Sequence, residues 1–434
     1  MDRRAFAWAL YDWANSAFPT MVSTFVIAAY FTQAVAPDPA QGQAMWGWMQ
    51  SSAAVAIALL SPVLGAVADA GGRRRLLLGL CTLLAALLTS LVWFARPDPS
   101  WTLWLLACVG GATVAFEVGT VFYNAMLPQV APPERIGRVS GLAWGLGYAG
   151  GLACLALALV LLIRPDPPLF GLDKASAEPV RAAALLTAAW LLGFGWPVLL
   201  AVPDPGGPRR GWAAAARGGL EELVSVLRRL PRRRDLWRFL LANMLYTDGL
   251  NTLFAFGAIF AAGVHGMAIQ EILLFGIALN VTAGIGAATG GLIDDRLGSK
   301  RTVLFSLAAL LLLSAALVVV PSKTAFWALA LLLGLFFGPA QASSRTLLAR
   351  LAPPGEMAAH FGLFALSGRI TGFLGPAVLA LVTGWTGSQR LGMATIGVFL
   401  GLGALMLLTV RAPRRDLIGE PRRCQFQEIS TKAE

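Results

Sequence analysis

Charged, sulfur-containing and imidazole side chains are scarce in this chain. Of its 434 residues only 13% are Asp, Glu, Lys or Arg, whereas 57% are hydrophobic and the mean hydropathy is +0.68. A soluble domain carries about 25% charged residues. The composition therefore excludes an ordinary soluble protein and indicates a polytopic membrane protein.

Histidine and cysteine are too few and too scattered for a metal centre. His265 and His360 lie far apart in the sequence, and the four cysteines form neither a CxxC pair nor a disulfide framework. The chain has no G-x-x-x-x-G-K-[ST] phosphate loop. Of its membrane acids only Asp294 and Asp295 are adjacent, so a membrane-embedded transferase is the weaker alternative. We expect no metal, no cofactor, no catalytic residues and no enzymatic activity.

Twelve long apolar runs cover most of the chain. A helix needs about 20 mostly apolar residues to cross a hydrocarbon core of about 30 Å. The first run is too long and too polar for a signal peptide, so we expect it to be retained. A long polar segment, 204–236, separates the sixth run from the seventh. The predicted spans are 5–32, 44–68, 76–95, 101–126, 138–163, 181–203, 237–263, 271–293, 302–320, 324–350, 358–383 and 390–411.

Lys and Arg are distributed unevenly between the two sides of these spans. With the N-terminus inside, 26 of the 34 basic residues fall in inner segments, six fall in outer segments, and Arg345 and Arg369 fall within runs. Short loops rich in Lys and Arg stay cytoplasmic, so both termini are expected in the cytoplasm. Attraction of the inner loops to anionic lipids accounts for the net charge of +11. We expect no nucleic-acid partner, because no basic domain lies outside the bilayer.

Three motifs recur in the same order in both halves of the chain. The pattern D-x-x-N-[ST] begins at Asp12 and again at Asp248. The segment "APPERIGRVSGLAWGLGYAGG" aligns with "APPGEMAAHFGLFALSGRITG" at a constant offset of 221. The loops "GAVADAGGRRR" and "GLIDDRLGSKR" both fit G-x-x-x-D-x-x-G followed by basic residues. Their motif residues are Gly65, Asp69, Gly72, Arg73 and Arg74 in the first loop, and Gly291, Asp295, Gly298 and Arg301 in the second.

This duplication predicts an all-α membrane protein with two six-helix bundles in parallel orientation, the arrangement of a major facilitator transporter. The expected division is a bundle over 1–203, a cytoplasmic linker over 204–236, a second bundle over 237–411 and a cytoplasmic tail over 412–434. In the repeated loop, glycines permit close backbone approach and the carboxylate can accept hydrogen bonds at a neighbouring helix N-terminus. The loop indicates the superfamily but not the substrate.

Longer segments carry a finer resemblance. They are "WALYDWANSAF" in the first run, "FYNAMLPQVAPPERIGRVSGLAWGLGYAGG" after the fourth, "YTDGLNT" in the seventh and "SSRTLLARLAP" after the tenth. These segments resemble the vacuole effluxer family of the major facilitator superfamily, over nearly the whole chain. The resemblance implies transport and favours amino-acid efflux, because the named eukaryotic members resemble vacuolar amino-acid exporters. The Arg-, Ala- and Gly-rich composition suggests a bacterial member in the cytoplasmic membrane.

Three charges lie deep within the predicted spans, where ionisable groups are costly and face a cavity or pair with one another. Asp248 and Arg369 each lie about eleven residues, or about 16 Å, from the inner ends of their runs. We expect them to pair near the midplane, either as part of the site or as a static salt bridge. Glu117 has no cation at its depth in its own half. It is expected to pair across the cavity, to bind a cationic group or to carry a proton.

Asp12 and Asn15 lie one turn apart and project from the same face of the first helix. With Asp248 and Asn251 from the second repeat, they are expected to line the inner part of the transport path. The alternative is an acid of the first turns whose neighbouring amide bonds to backbone.

Three further polar side chains lie near the inner ends of the fourth and tenth runs. Arg345 could snorkel to the surface, pair with another helix, or clamp a substrate carboxylate. Asn124 and Gln341 are expected to be amides that line the cavity.

Small residues are expected where the fifth and eighth runs approach each other, since they permit close helix packing. The glycines concerned are Gly141, Gly145, Gly147 and Gly151 in the fifth run and Gly286 and Gly290 in the eighth. In the linker, apolar residues at helical spacing predict an amphipathic helix on the membrane surface. These residues are Leu220, Leu223, Val224, Leu227 and Leu230.

Together these features predict a secondary transporter that moves a small solute by alternating access. Protons are the expected coupling ion, through Asp12, Glu117 and Asp248. The expected partners are a small-molecule substrate and membrane lipids, and the protein is expected to be a monomer. The alternatives are a transporter of another solute, such as a drug, sugar or organic acid, or a receptor or scaffold on the same fold.

Overall fold

The computed structural model describes residues 2–204, 211–267 and 269–411, and over these ranges it contains helices and turns but no strand. The predicted tail, 412–434, lies outside the described residues. Beyond Asn15 the first helix continues through π-helical turns over Pro19–Phe25 and Phe31–Val35. The α-helices longer than four residues are α1 (Arg3–Asn15), α2 (Pro39–Gly71), α3 (Arg74–Leu91), α4 (Thr102–Ala125), α5 (Ile136–Ala158), α6 (Glu178–Ala201), α7 (Trp212–Arg229), α8 (Arg234–His265), α9 (Ile269–Leu297), α10 (Ser299–Val319), α11 (Lys323–Leu351), α12 (Met357–Ser367), α13 (Leu374–Thr386) and α14 (Gln389–Leu408).

Among the described residues, ten helical segments are long and apolar enough to cross a membrane, and each overlaps one predicted span. Of the two remaining predictions, 237–263 lies within α8. The other, a continuous helix over 358–383, is wrong because α12 ends at Ser367 and α13 begins at Leu374. The six residues between them include Gly368 and Gly372, and glycine has low helix propensity.

Two helix seams bring the two halves of the chain into backbone contact. In one, α5 packs on α9, so that a Cβ added at Gly141 would lie 2.4 Å from the Ala287 oxygen. In the other, α2 packs on α12, and a Cβ at Gly362 would lie 2.5 Å from the Ser61 oxygen. Gly141 and Gly362 are separated by the repeat offset of 221, so the two seams are equivalent.

The expected glycines divide among several partners. Gly145 faces α9 as predicted, whereas Gly147 and Gly151 face α1 at Ser16. Gly286 and Gly290 face α11 rather than α5, because the side of α9 that meets α5 carries Gly291. Close approach by glycine therefore fixes packing within each half as well as between the halves.

The linker helix α7 packs along the end of α2. A Cβ at Gly219 would lie 2.7 Å from the Val67 nitrogen, and Leu223 is buried with Ala66 and Ala359. Its second apolar stripe remains exposed; the stripe consists of Leu220, Val224 and Leu227. The predicted apolar residues thus face two ways, one set toward the helix bundle and the other away from it.

We predict that Gly141→Ala lowers the free energy of unfolding by about 1–3 kcal/mol, because its methyl group overlaps the Ala287 oxygen and the Gly291 backbone. Gly193→Ala is the matched control, since a Cβ there meets nothing within 4 Å. Thermal unfolding of the purified protein checks both variants. A Gly141→Ala protein as stable as the control would contradict the close seam.

Candidate functional site

The first loop motif joins the two halves through one carboxylate. Asp69 is buried and forms an ion pair with Arg74 at 2.5 Å. Its other oxygen accepts a hydrogen bond from the Ala359 N–H at 2.9 Å, in the first turn of α12. A carboxylate at a helix N-terminus interacts favourably with the helix dipole. Asp69 therefore caps a helix of the opposite half.

The second loop motif repeats this arrangement at the start of α5. Asp295 accepts hydrogen bonds from the N–H groups of Gly137 at 2.8 Å and Arg138 at 3.0 Å. Its neighbour Asp294 pairs with Arg350 at 3.1 Å. The repeat offset relates Arg138 to Ala359, so each motif carboxylate caps the equivalent helix of the other half.

The glycines of the two loop motifs and the basic residues that follow them occupy different environments. Gly72 and Gly298 have positive φ values of 61° and 89°, which favour glycine in the turns after α2 and α9. A Cβ at Gly65 would lie 2.4 Å from the Ala358 oxygen. Arg301 is exposed. We call this end of the molecule, where Arg74, Arg138 and Arg350 lie, the arginine-rich end.

Arg345 extends from α11 into the opposite half and does not snorkel. It is buried and pairs with Asp12 of α1 at 3.1 Å. The same Nη1 atom donates to the Asn124 amide oxygen at 3.3 Å, and the remaining guanidinium nitrogens donate to the Oγ and carbonyl oxygens of Ser140 at 3.0 and 2.8 Å. Of the sequence alternatives, pairing with another helix is the one that this geometry fits.

Three aromatic rings surround the same guanidinium group. The Arg345 Cζ atom lies 4.8 Å from the centroid of Trp8, 5.8 Å from that of Tyr123 and 5.7 Å from that of Trp144. These rings are not among the predicted partners of a cation. The sequence feature that indicates one of them is the four-residue spacing of Trp8 and Asp12, which puts both side chains on one face of α1.

The expected Asp248 and Arg369 pair is wrong. Arg369 forms an ion pair with Glu117 of α4, so Glu117 pairs with a cation of the opposite half. Asp248 instead accepts a hydrogen bond from the Gly375 N–H at 3.0 Å in the first turn of α13. The break after Ser367 explains the difference, because it places Arg369 in a turn rather than on a continuous helix.

The Glu117 and Arg369 pair is partly accessible to solvent. The side chain of Glu117 is 25% exposed and that of Arg369 is 35% exposed, whereas Arg345 is 4% exposed. The two ion pairs that bridge the halves therefore differ in exposure, since Arg345 is buried whereas Glu117 and Arg369 are partly exposed.

The expected amides occupy three different environments. Asn15 is buried, while Asn251 is exposed and has no hydrogen bond to it. The Gln341 amide oxygen accepts a hydrogen bond from Tyr148 at 3.2 Å.

Comparison with known proteins gives consistent matches along the chain. The family described as "Vacuole effluxer Atg22 like" matches residues 41–416. An MFS-type transporter, YxiO of Bacillus subtilis, is 26% identical over 93% of this chain and 94% of its own. Autophagy-related protein 22 of Cryptococcus neoformans is 27% identical over 65% of this chain. The chain spans about half the length of that relative, 52%.

Solved transporters share the fold. The MFS transporter FucP in its outward conformation superposes with a TM-score of 0.74, covering 95% of this chain and 98% of its own at 14% identity. The proton:xylose symporter XylE gives a TM-score of 0.72, with 94% and 96% coverage at 13% identity. The chain has the major facilitator fold.

We predict that Asp69→Asn lowers the free energy of unfolding by about 3–5 kcal/mol, because it leaves the buried Arg74 without its counter-charge. Asp166→Asn is the control; it removes an exposed partner of Lys174 and should have no measurable effect. Thermal unfolding distinguishes the two. Adding Arg74→Met to Asp69→Asn should restore part of the loss, and equal losses in the single and double variants would contradict the pair.

Proposed function

The chain belongs to the vacuole effluxer family and is a major facilitator transporter of a small solute, and we propose that it carries an α-amino acid by alternating access. The observation that carries this proposal is the ion pair between Glu117 and Arg369, which joins the two halves and is partly accessible. We further propose efflux as the direction, following the printed description of the family.

The proposed topology has twelve spans and two cytoplasmic termini. The ten apolar segments supply ten spans, α8 supplies another, and α12 with α13 forms a broken twelfth. Two bundles, 1–203 and 237–411, are then joined by the linker 204–236. The excess of Lys and Arg in inner segments supports a cytoplasmic arginine-rich end and a location in a bacterial cytoplasmic membrane.

The proposed cycle opens the two ends in turn. Here the seams of α5 with α9 and of α2 with α12 hold the arginine-rich end closed, together with Asp69, Asp295 and Arg345. The conformation is thus proposed to be closed toward the cytoplasm. Rocking of the halves about the central pair would separate these contacts and open that end.

A zwitterion fits the central pair because it can replace both of its bonds at once. Its carboxylate can accept two hydrogen bonds from the Arg369 guanidinium, and its ammonium group can donate to Glu117. Each of the two partly exposed charges then keeps a counter-charge when the solute enters. A solute with only one charged group satisfies only one side of the pair.

Asp248 is proposed to carry a coupling proton. It is buried, one of its carboxylate oxygens has no hydrogen-bond partner, and no Lys or Arg among the described residues forms an ion pair with it. Protonation would neutralise a charge that burial penalises, while deprotonation would strengthen the hydrogen bond from Gly375. Gain or loss of a proton at Asp248 would therefore change the strength of the hydrogen bond between its carboxylate and the N-terminus of α13.

We predict that Glu117→Gln and Arg369→Gln each reduce amino-acid counterflow in proteoliposomes by about tenfold or more, since each removes one of the two charges that would bind the zwitterion and a hydrogen bond to a charged group contributes about 1.5 kcal/mol or more. Leucine should compete with the transported amino acid, whereas isopentylamine and 4-methylpentanoate should not, because each lacks one charge. Glu271→Gln, which removes a half-exposed partner of Lys323, is the control. Wild-type flux in both pair variants would refute the proposed site.

We predict that Asp248→Asn abolishes accumulation driven by a pH gradient but preserves counterflow, which needs no net proton movement. Asp166→Asn is the control, because Asp166 is exposed and its pair with Lys174 lies at the surface. Radiolabelled uptake with and without an imposed gradient measures both quantities. Proton coupling is wrong if wild-type accumulation does not respond to the imposed gradient.

A further inference from the structure

We propose that the first half of the chain contains a guanidinium-binding site, which Arg345 fills in this conformation and which a free guanidinium-bearing solute enters when the arginine-rich end opens. The site consists of Trp8 and Asp12 on α1, Tyr123 and Asn124 on α4, and Ser140 and Trp144 on α5. All six residues belong to the half opposite Arg345. Separation of the halves therefore removes the occupant and leaves every wall of the site behind.

The site matches the chemistry of a guanidinium ion. Such an ion is planar, permanently charged and carries only hydrogen-bond donors. The site presents four acceptors: the Asp12 carboxylate, the Asn124 amide oxygen, and the Oγ and carbonyl oxygens of Ser140. The rings of Trp8, Tyr123 and Trp144 supply cation–π attraction on the remaining sides.

The walls are held by bonds that do not involve Arg345. The Trp8 indole N–H donates to the Tyr123 carbonyl oxygen at 2.9 Å, and the Tyr123 hydroxyl donates to the Trp8 carbonyl oxygen at 3.0 Å. Their rings stack at 4.4 Å with an angle of 11° between planes, and Tyr11 stacks on Tyr123 at 4.8 Å. These contacts join α1 to α4 within one half, so two of the three rings keep their positions when Arg345 withdraws.

Withdrawal of Arg345 creates a demand for another cation. Asp12 is buried among the rings, and removing the partner of a buried carboxylate leaves an uncompensated charge. Ser140 also loses the two Arg345 nitrogens that donate to its Oγ and carbonyl oxygens. A guanidinium ion from solution would satisfy these groups.

Binding at this site would favour the open conformation, because the ion and Arg345 compete for the same place. This consequence rests on the proposed alternating access, whereas the site itself does not. An ammonium ion is a weaker fit, since it lacks the planar array of nitrogens with which a guanidinium group reaches the Asp12 and Ser140 oxygens at once. The ligand class is therefore guanidinium compounds, of which the guanidinium ion is the smallest.

The test is chemical rescue of Arg345→Ala by guanidinium chloride at millimolar, non-denaturing concentrations. We expect a saturable rise in Tm of about 2–4 °C for this variant, and no rise with methylammonium chloride at the same ionic strength. The wild type should not shift, because Arg345 already fills the site. Lys323→Ala, which removes a cation at a half-exposed pair, is the matched control and should not shift either.

Three results would overturn the proposal. They are no shift of Arg345→Ala, an equal shift of Arg345→Ala/Asp12→Asn, and an equal shift with methylammonium. If Arg345→Ala aggregates when purified without the ion, recovery of a monodisperse protein in guanidinium supports the site. Aggregation with and without the ion, while Arg345→Lys remains folded, overturns it. Amino-acid counterflow by the wild type is measured separately, so failure of the transport proposal is distinguishable from failure of this site.

Discussion

Charged side chains need a partner when they are removed from water, and in this protein several of their contacts join one half of the chain to the other. Arg345 of the second half meets Asp12 of the first, and Arg369 meets Glu117. The Asp69 carboxylate has a local partner in Arg74, yet its second oxygen caps a helix of the other half. These contacts tie the two halves of the chain together, while the glycine seams allow the backbones to come close enough for them to form.

The internal repeat explains why the contacts between the two halves are equivalent at the two helix seams but differ around Arg345, which lies between the seams. Away from the pseudo-two-fold axis, the Asp69 and Asp295 motifs can make equivalent contacts without meeting each other. Asn124 and Arg345 are related by the offset of 221 and hydrogen bond to each other at 3.3 Å, so they lie where the repeats meet. An arginine at both positions would place two like charges in contact. The neutral Asn124 amide beside Arg345 leaves one positive charge, which the single carboxylate of Asp12 can balance.

The helical fold and the role of the loop carboxylates could be predicted, because they depend on the length of the apolar runs, the placement of basic residues and the motif repeated in both halves. Side-chain pairing could not be read in the same way. The predicted depth of Arg369 assumes a continuous helix, but the helix ends at Ser367. The position of Arg345 in α11 predicts a side chain near the surface, but its environment is made by three helices of the other half. Pairing between distant segments leaves no periodic signal in either one.

The break between α12 and α13 connects the closed end to the centre of the molecule. The N-terminus of α12 is capped by Asp69, and Gly362 packs that helix against α2, so α12 belongs mechanically to the closed seam. The N-terminus of α13 is held by Asp248. Arg369 lies in the turn between these two fixed helices and contacts Glu117. In the proposed cycle, separation of α12 from α2 changes the conformation of this turn. The Arg369 guanidinium group, which a zwitterionic solute would contact, then moves with it.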